Sequence, residues 1–218
     1  IQLDENLVLK FLINRDFTQS NRWTKATVLH QIGAQKISEF NMDLIAQLFN
    51  PDTLIRETAA WALLQIDPAL YTTHTARLGT EIKRELDKSV AGTNSITNLM
   101  LFEKVLFFQQ SVLFEDVPGI TLSYLADVTK TVTLDQGKTL VVDEAQNTDF
   151  YIVFQGEVDY YDHNKKVITY LPGQFVGERL STSGYINSHT LKAGQRSILL
   201  RINKEQFYEL LAEHVQLA

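Results

Sequence analysis

The sequence contains no cysteine, and this absence removes several kinds of chemistry at once. A disulfide framework, a cysteine-ligated zinc site, an iron-sulfur cluster and a thiol nucleophile are all excluded. Proline and glycine are also scarce, with 4 and 10 residues, while 44% of the 218 residues are hydrophobic and 21% are charged. This composition excludes a collagen-like or disordered chain. We expect one or two globular domains in a reducing, cytoplasmic setting.

Basic residues are fewer than acidic ones: the sequence has 20 Lys and Arg and 26 Asp and Glu, which gives a net charge of -6. Such a surface repels the phosphate backbone of nucleic acids unless it carries a basic stripe, and we find none, so no nucleic-acid partner is expected. Long apolar runs are missing too. The longest, such as Val105 to Phe108, fall far short of the ~20 residues that span a bilayer. The sequence therefore predicts a soluble chain with no direct membrane insertion.

The N-terminus shows no signal peptide, because charged residues interrupt the stretch that should be apolar. Position 1 is Ile rather than Met. A fragment of a longer polypeptide, end processing and a disordered start would all produce this beginning.

The first half of the chain, to about residue 90, has the periodicity of helices. Apolar residues recur at spacings of three and four, as in Leu7, Phe11 and Leu12, in Val28, Leu29 and Ile32, and in Leu44, Ile45 and Leu48. This half also repeats itself, because residues 22–33 match residues 56–67 at a spacing of 34. A period of this length indicates stacked helical units.

The segment from Asn50 to Leu63 resembles the first helix of a HEAT repeat, with Pro51 at its start and Arg56 near its first turn. Only two copies are evident, whereas about three are normally needed for stability. We therefore expect the first helix and the second half of the chain to cover the two ends of this short stack. Trp23 and Trp61 fall on the paired helices, where we expect them to pack in the core.

The second half has the pattern of β-strands, and the glycines 137, 156, 173, 184 and 194 stand at turn positions between them. The predicted strands include residues 131–134, 139–142, 151–154, 167–170 and 197–200. Helices are predicted at about residues 96–109, 120–128 and 203–214. The polar segment from Lys88 to Ser95 is the natural joint. We therefore predict an α+β protein with a helical repeat domain at 1–92 and a β domain at 93–218.

Two motifs in the β half carry a family resemblance. Residues 151–158 (YIVFQGEV) are followed by residues 171–178 (LPGQFVGE) at a specific interval. Together with the order of helices and strands, they make this half similar to the cyclic-nucleotide-binding domain family. The resemblance implies a β jelly-roll with flanking helices. It also implies a ligand cassette that opens at Val176 and runs to Ala193.

The resemblance further implies roles for residues of this cassette. Its glutamate, here Glu178, accepts a hydrogen bond from the ribose hydroxyl, and backbone amides near Leu180 and Ser181 approach the cyclic phosphate. Free N–H groups at a helix start favour an anion, and the family adds an arginine. Here Asn187 stands in place of that arginine, and an amide cannot neutralise a phosphate. Arg179 and Lys192 are the alternative cations. The candidate site comprises Gly177, Glu178, Leu180, Ser181, Asn187 and Ser188.

Two functions compete. In the first, the chain is a non-enzymatic regulatory or protein-interaction module whose pocket has weakened or lost its nucleotide. In the second, it is a working sensor of a cyclic nucleotide or another small ligand. The order of domains also resembles the cytosolic C-terminal part of bacterial nucleotide-translocase-like membrane proteins, in which case the partner is the membrane domain of the same parent chain.

Other functions lack the residues they need. No paired carboxylates, nucleophile–base set or phosphate-cradling glycine loop marks an enzyme. His189 beside Ser188 does not form a nucleophile pair, since strand neighbours face opposite sides. No His-x-His motif marks a metal site, so neither a metal nor a cofactor is expected beyond a weakly bound cyclic nucleotide. The segment from Tyr160 to Lys166 is predicted to be a hairpin turn with solvated charges.

Overall fold

The computed structural model describes residues 5–14, 21–90, 99–143, 149–162, 165–176 and 188–215. The chain divides into two compact units, Ile1–Gln109 with Asp116–Ala126, and Gln110–Glu115 with Asp127–Ala218. The first is helical and the second is an antiparallel β-sandwich with helices, so the predicted α+β class is confirmed. The predicted boundary between residues 92 and 93 lies outside the described residues.

Of the three helices with predicted bounds, those at 120–128 and 203–214 agree with the structure to within one residue, and the one predicted at 96–109 begins at Leu101. The helices are α1 (Glu5–Asn14), α2 (Arg22–Ala34), α3 (Asn41–Gln47), α4 (Thr53–Ile66), α5 (Pro68–Thr75), α6 (Thr80–Ser89), α7 (Leu101–Gln109), α8 (Gly119–Val128) and α9 (Lys204–Val215). Side chains satisfy free N–H groups at several of these starts. Asn21 accepts from Thr24 N–H at 2.8 Å before α2, and Asp52 accepts from Ile55 N–H at 3.2 Å before α4.

Helix α4 is the centre of the first unit, and α2, α3, α5 and α7 all contact it. The contact with α2 is the closest. A Cβ atom at Gly33 would lie 2.6 Å from Cα of Ala62, so the two backbones approach as only a glycine and a small residue permit. The ion pair of Arg22 with Asp52, at 2.9 Å, joins the starts of the same two helices. The 34-residue repeat therefore corresponds to two helices packed side by side.

The buried face of α1 is not the apolar face that the sequence predicts. Leu7 is 65% exposed and Phe11 is 59% exposed, whereas Ile13 is fully buried and Leu12 is half-buried. The helix was predicted correctly, but it turns a neighbouring face towards α2 and α3. Because hydrophobic residues occupy most sides of this helix, periodicity alone could not identify the packed one.

Four aromatic rings form a column in the first unit. The imidazole of His30 on α2 lies between Trp61 on α4, with ring centroids 4.3 Å apart, and Phe102 on α7, at 4.1 Å. Phe102 in turn stacks on Trp23 at 5.0 Å. Both tryptophans are half-buried rather than enclosed in the core as predicted. The column joins three helices of the unit.

The second unit contains two sheets of four strands. The strands are β1 (Lys130–Leu134), β2 (Thr139–Asp143), β3 (Asp149–Gln155), β4 (Val158–Asp162), β5 (Lys165–Tyr170), β6 (Phe175–Val176), β7 (Ser188–Ala193) and β8 (Ser197–Asn203). The first sheet has the order β1-β8-β3-β6 and the second has the order β2-β7-β4-β5. All described pairs are antiparallel, and side chains alternate between the two faces of each strand.

The core of the sandwich lies between the inner faces of the two sheets. Buried apolar residues from both sheets fill it, among them Leu134, Tyr151, Val153, Val158, Tyr170, Val176, Leu191, Ala193 and Leu199. The outer face of the first sheet is covered as well. Phe175 contacts Phe150 and Phe114, the latter from the 3-10 turn Val112–Phe114. Phe207 from α9 also contacts Phe150 and Phe114, and all four contacts are edge-on or tilted with centroids 5.6 to 6.4 Å apart.

Two local features depart from simple strand pairing. The predicted turn from Tyr160 to Lys166 is shorter than expected, since Tyr160–Asp162 belongs to β4 and Lys165–Lys166 to β5. Near the end of β3, the register with β8 shifts between Val153 and Gln155, and Gly156 follows with a φ of +84°. There the Ser197 hydroxyl accepts from Glu157 N–H at 3.1 Å and donates to the Glu157 carbonyl at 2.8 Å.

Candidate ligand site of the β-sandwich

The predicted cassette falls largely outside the described residues. Gly177, Glu178, Leu180, Ser181 and Asn187 all lie in the segment 177–187, and Arg179 lies there too. Ser188 opens β7 opposite Asp143, but the structure describes only its backbone. The roles of these residues therefore stay predictions. The strands on either side of this segment, β6 and β7, are described.

The turn before β6 fixes where the cassette begins. Gly173 has a φ of +84°, a conformation that favours glycine, and its N–H donates to Val153 O at 2.8 Å. Val153 N–H donates to Gln174 O at 3.1 Å, and Leu171 N–H donates to the side-chain oxygen of Gln174 at 2.8 Å. The LPGQ motif thus builds a turn that is bonded both to itself and to β3. As a result β6, although short, is held firmly on the first sheet.

The strands that flank the cassette belong to different sheets. Val176, the last residue of β6, pairs with Tyr151 in the first sheet, while β7 pairs with β2 and β4 in the second. The segment 177–187 therefore connects the two sheets. Both flanking strands also contribute inner-face residues, since Val176 and Leu191 are buried in the core.

A row of four paired residues crosses the first sheet at the end of β6. Val176 lies opposite Tyr151, Tyr151 opposite Arg201, and Arg201 opposite Lys130. Directly paired residues share a face, and Val176 and Tyr151 face the core, so the two cations project from the inner face as well. This row places positive charge on the inner face, with Arg201 two strands and Lys130 three strands away from the point where the chain enters the cassette.

The charge of Arg201 is already matched by a carboxylate. Its Nε donates to Oδ2 of Asp149 at 2.6 Å, and Asp149 is buried whereas Arg201 is almost half-exposed. Asn203 Nδ2 lies 3.4 Å from the other oxygen of Asp149. Burial raises the pKa of the neighbouring Tyr151 hydroxyl; the charge of Asp149 acts in the same direction, while Arg201 opposes it. The pair borders a cavity of about 320 Å³.

Lys192, one of the two alternative cations, lies on the opposite face. It alternates with the buried Leu191 and Ala193 on β7, and it is exposed on the outer face of the second sheet. It pairs there with Asp159, which accepts from Lys166 Nζ at 2.6 Å and from Thr169 Oγ1 at 2.7 Å. Partial burial alone would raise the pKa of Asp159, but the hydrogen bonds from Lys166 and Thr169 hold it below its usual value.

Arg201 was not among the residues that sequence reasoning singled out. Strand alternation from the apolar Leu199 could have placed it on the inner face. Its pairing with Asp149 could not have been read from the sequence, because the two residues are 52 positions apart and are joined only by strand register.

Searches for other chemistry within the described ranges give two further findings. Those ranges contain no group of three or more His, Asp or Glu residues arranged to hold a metal ion. Among the helices traced there, none is long and apolar enough to span a membrane. The side chain of His189 lies outside the described residues. The backbone of His189, in β7, pairs with Val142 of β2.

Comparison with known proteins locates the family of the second unit. The family model of the cyclic nucleotide-binding domain matches residues 131–214. No curated protein matches the chain in a sequence search.

Solved structures similar to the chain include regulators and cyclic-nucleotide-binding proteins. The sensor domain of the transcriptional regulator DNR from Pseudomonas aeruginosa is 22% identical, with a TM-score of 0.44 over 50% of this chain and 80% of that one. The regulatory domain of Toxoplasma gondii PKA, crystallised with cAMP, is 16% identical, with a TM-score of 0.44 over 51% and 45%. A cyclic nucleotide-binding-like protein from Brucella abortus is 18% identical, with a TM-score of 0.39 over 50% and 98%.

The match covers a limited share of some of these proteins. It spans 41% of the cAMP-bound PfPKA-R chain and 45% of the Toxoplasma chain. The family model, together with the antiparallel sandwich and its flanking helices, identifies the fold. Residues 131–214 of this chain, which include its β-sandwich, match the family model of the cyclic nucleotide-binding domain.

Proposed function

We propose that the chain is a non-enzymatic regulatory or protein-interaction module whose cyclic-nucleotide pocket binds its ligand weakly. The observation that supports this proposal is the ion pair of Arg201 with Asp149 at 2.6 Å. Of the two cations on the inner-face row that leads to β6, Arg201 is the nearer one, and a buried carboxylate already neutralises it, while Lys130 lies one strand further from β6. Lys192 faces the other way. Asn187 therefore stands in the family's arginine position without a described cation positioned to compensate.

The expected loss of affinity follows from the missing charge. Hydrogen bonds to charged groups contribute about 1.5 to 3 kcal/mol. Since about 1.4 kcal/mol corresponds to a factor of ten, an amide in place of a guanidinium weakens phosphate binding by roughly ten- to a hundredfold. Glu178 adds a second negative charge near an anionic ligand, which acts in the same direction.

Calorimetric titration with cyclic AMP and cyclic GMP tests the proposal. We expect no micromolar binding by the unaltered chain. Asn187→Arg restores the guanidinium and should strengthen affinity by about ten- to a hundredfold, whereas the matched neutral variant Asn187→Gln should not. Saturable micromolar binding by the unaltered chain would overturn the proposal. Flat affinity in Asn187→Arg would show that the pocket itself is not as predicted.

A working sensor is the second candidate, and the inner-face row of Lys130, Arg201, Tyr151 and Val176 favours it. In that case Arg201 turns from Asp149 to the phosphate when the ligand binds. Arg201→Gln should then abolish binding of cyclic nucleotides. Lys192→Gln, which removes an exposed cation from the outer face, should leave binding unchanged. Equal loss in both variants would indicate a general effect of charge and not a sensor built on Arg201.

We also propose that the helical unit is a short HEAT-like stack and that the chain is the cytosolic regulatory part of a translocase-like membrane protein. The close contact of α2 and α4 at Gly33 and Ala62, at the 34-residue repeat, supports the first idea. The domain order supports the second. The hydropathy of the complete coding sequence tests it: several segments of ~20 apolar residues upstream are expected, and a complete gene without them would contradict it.

A further inference from the structure

A second concave site lies at the edge of the sandwich, apart from the cavity beside Arg201. It is a groove of about 750 Å³ where the turn from Leu171 to Gln174 joins β5 to β6, the edge strands of the two sheets. Its volume falls within the range of about 300 to 1,000 Å³ that is usual for small-molecule sites.

The apolar walls of the groove are fixed by the fold. Ile168 and Tyr170 come from β5 and pack against the core of the sandwich. Phe175 comes from β6 and is held by Phe114 and Phe150, with ring centroids at 6.1 and 6.4 Å. Because these side chains are anchored by the two apolar layers of the unit, the walls exist before any ligand binds.

The opposite rim exposes apolar surface to water. Val112 is 87% exposed and Leu113 is 56% exposed, both in the 3-10 turn Val112–Phe114. Their neighbour Phe114 is buried, so this turn is anchored by one residue and presents two others at the groove. Adjacent exposed apolar side chains beside a concavity are typical of a binding site.

The polar groups of the groove are neutral amides and a hydroxyl. The side-chain oxygen of Gln174 accepts from Leu171 N–H at 2.8 Å, which fixes that amide and leaves its NH₂ group as a donor. Gln110 and Ser111 complete the polar lining. Every lining residue that the structure describes is uncharged, so an anionic ligand such as a cyclic nucleotide finds no counter-charge among them.

We propose that this groove binds a neutral, planar and largely apolar small molecule with a hydrogen-bonding edge, such as a substituted aromatic heterocycle. The rings of Tyr170 and Phe175 match a flat apolar body, and the amide of Gln174 matches a hydrogen-bonding edge. None of the described lining residues belongs to the cassette from Val176 to Ala193, and the site does not rest on the proposed function.

The neutral fluorescent probe N-phenyl-1-naphthylamine tests this site on the full chain. We expect saturable binding that an excess of cyclic AMP does not displace. Val112→Lys places a charge on the rim and should weaken binding at least tenfold. Val141→Lys is the matched control, because Val141 is 63% exposed on the outer face of the second sheet and does not line the groove. Since both valines are exposed, neither change should prevent folding.

Several outcomes would overturn the proposal. They are a lack of saturable probe binding, an equal loss in both lysine variants, and displacement of the probe by cyclic AMP. The last result would place the probe in the cassette. Asn187→Arg distinguishes a failure of this proposal from a failure of the proposed function, because it should change the affinity for nucleotide and leave the affinity for the probe unchanged.

Discussion

Glu57 accepts a hydrogen bond of 2.9 Å from the backbone N–H of Leu101, which joins α4 to the first turn of α7. The carboxylate is buried, and it supplies an acceptor that a helix start needs. Met100 N–H is satisfied from within α7, by Glu103 at 2.9 Å. Glu57 therefore anchors α7 to the helical unit through a group that can titrate.

This anchor predicts a pH dependence of stability. Burial raises the pKa of Glu57, although the hydrogen bonds from Leu101 and Ser89 and the charge of Lys104 oppose the effect. Because the folded pKa is the higher one, the folded state binds the proton more tightly, and the free energy of unfolding falls as the pH rises through it. Glu57→Gln keeps an acceptor and should remove this fall. Urea denaturation at a series of pH values, followed by tryptophan fluorescence, measures this free energy of unfolding, since both tryptophans lie in the first unit.

His30 predicts a change of stability with pH in the opposite direction. Burial lowers its pKa below the ordinary value of 6.5, because the ring lies between Trp61 and Phe102. The unfolded state then binds more protons, so the free energy of unfolding should decrease as the pH falls below 6.5. His30→Phe preserves an aromatic ring in the column and should abolish this dependence. An unchanged pH profile in His30→Phe would show that His30 is not its source.

Gly33 predicts a severe steric effect in the first unit. A Cβ at this position would lie 2.6 Å from Cα and 2.7 Å from Cβ of Ala62, so Gly33→Ala must separate α2 from α4. We expect a loss of about 1 to 3 kcal/mol in the free energy of unfolding. Gly79→Ala is the matched control, because a Cβ there meets nothing within 4 Å. Equal stability of the two variants would contradict the close packing of the two helices.

The pair of Arg201 and Asp149 predicts a coupling in the β unit. Arg201→Met removes the guanidinium from a buried carboxylate, but Arg201 is partly solvated, so we expect a loss of about 1 to 2 kcal/mol. Adding Asp149→Asn should restore part of it, because the uncompensated charge is then gone. Lys166→Met breaks a more exposed pair with Asp159 and should cost less stability than Arg201→Met does. Urea denaturation followed by circular dichroism separates these cases; equal losses would contradict the role of burial.

Periodicity and turn residues were sufficient to predict much of the fold. The α+β class and the helical first half are confirmed, because spacings of three and four and short β-branched runs are local properties of the sequence. The family model matches residues 131–214, within the predicted domain at 93–218, whose bounds stay a prediction. Gly137, Gly156 and Gly173 each have a positive φ at a strand connection, as their turn positions predicted. The HEAT-like character of the helices stays a prediction.

The features that escaped prediction depend on residues far apart in the chain. The sequence could not show which side of α1 faces solvent, since Leu7 and Phe11 are as apolar as the residues of α1 that pack in the first unit. Strand register, which no local pattern contains, brings Arg201 to Asp149 and assigns Lys192 to the outer face. At the cassette, the sequence supplies the roles of Glu178 and Asn187 by resemblance, and those roles await the nucleotide titration.

The bulge at the end of β3 limits how this domain can diverge. A side chain at Gly156 would collide with the carbonyl of Arg196 and with Cα of Ser197, each at 2.8 Å, in addition to the left-handed backbone conformation there. The nearest atom is the Ser197 hydroxyl oxygen at 2.4 Å, which a smaller residue at 197 would remove, but the two main-chain atoms would remain. We therefore expect glycine at position 156 even in related domains whose surrounding sequence has changed widely.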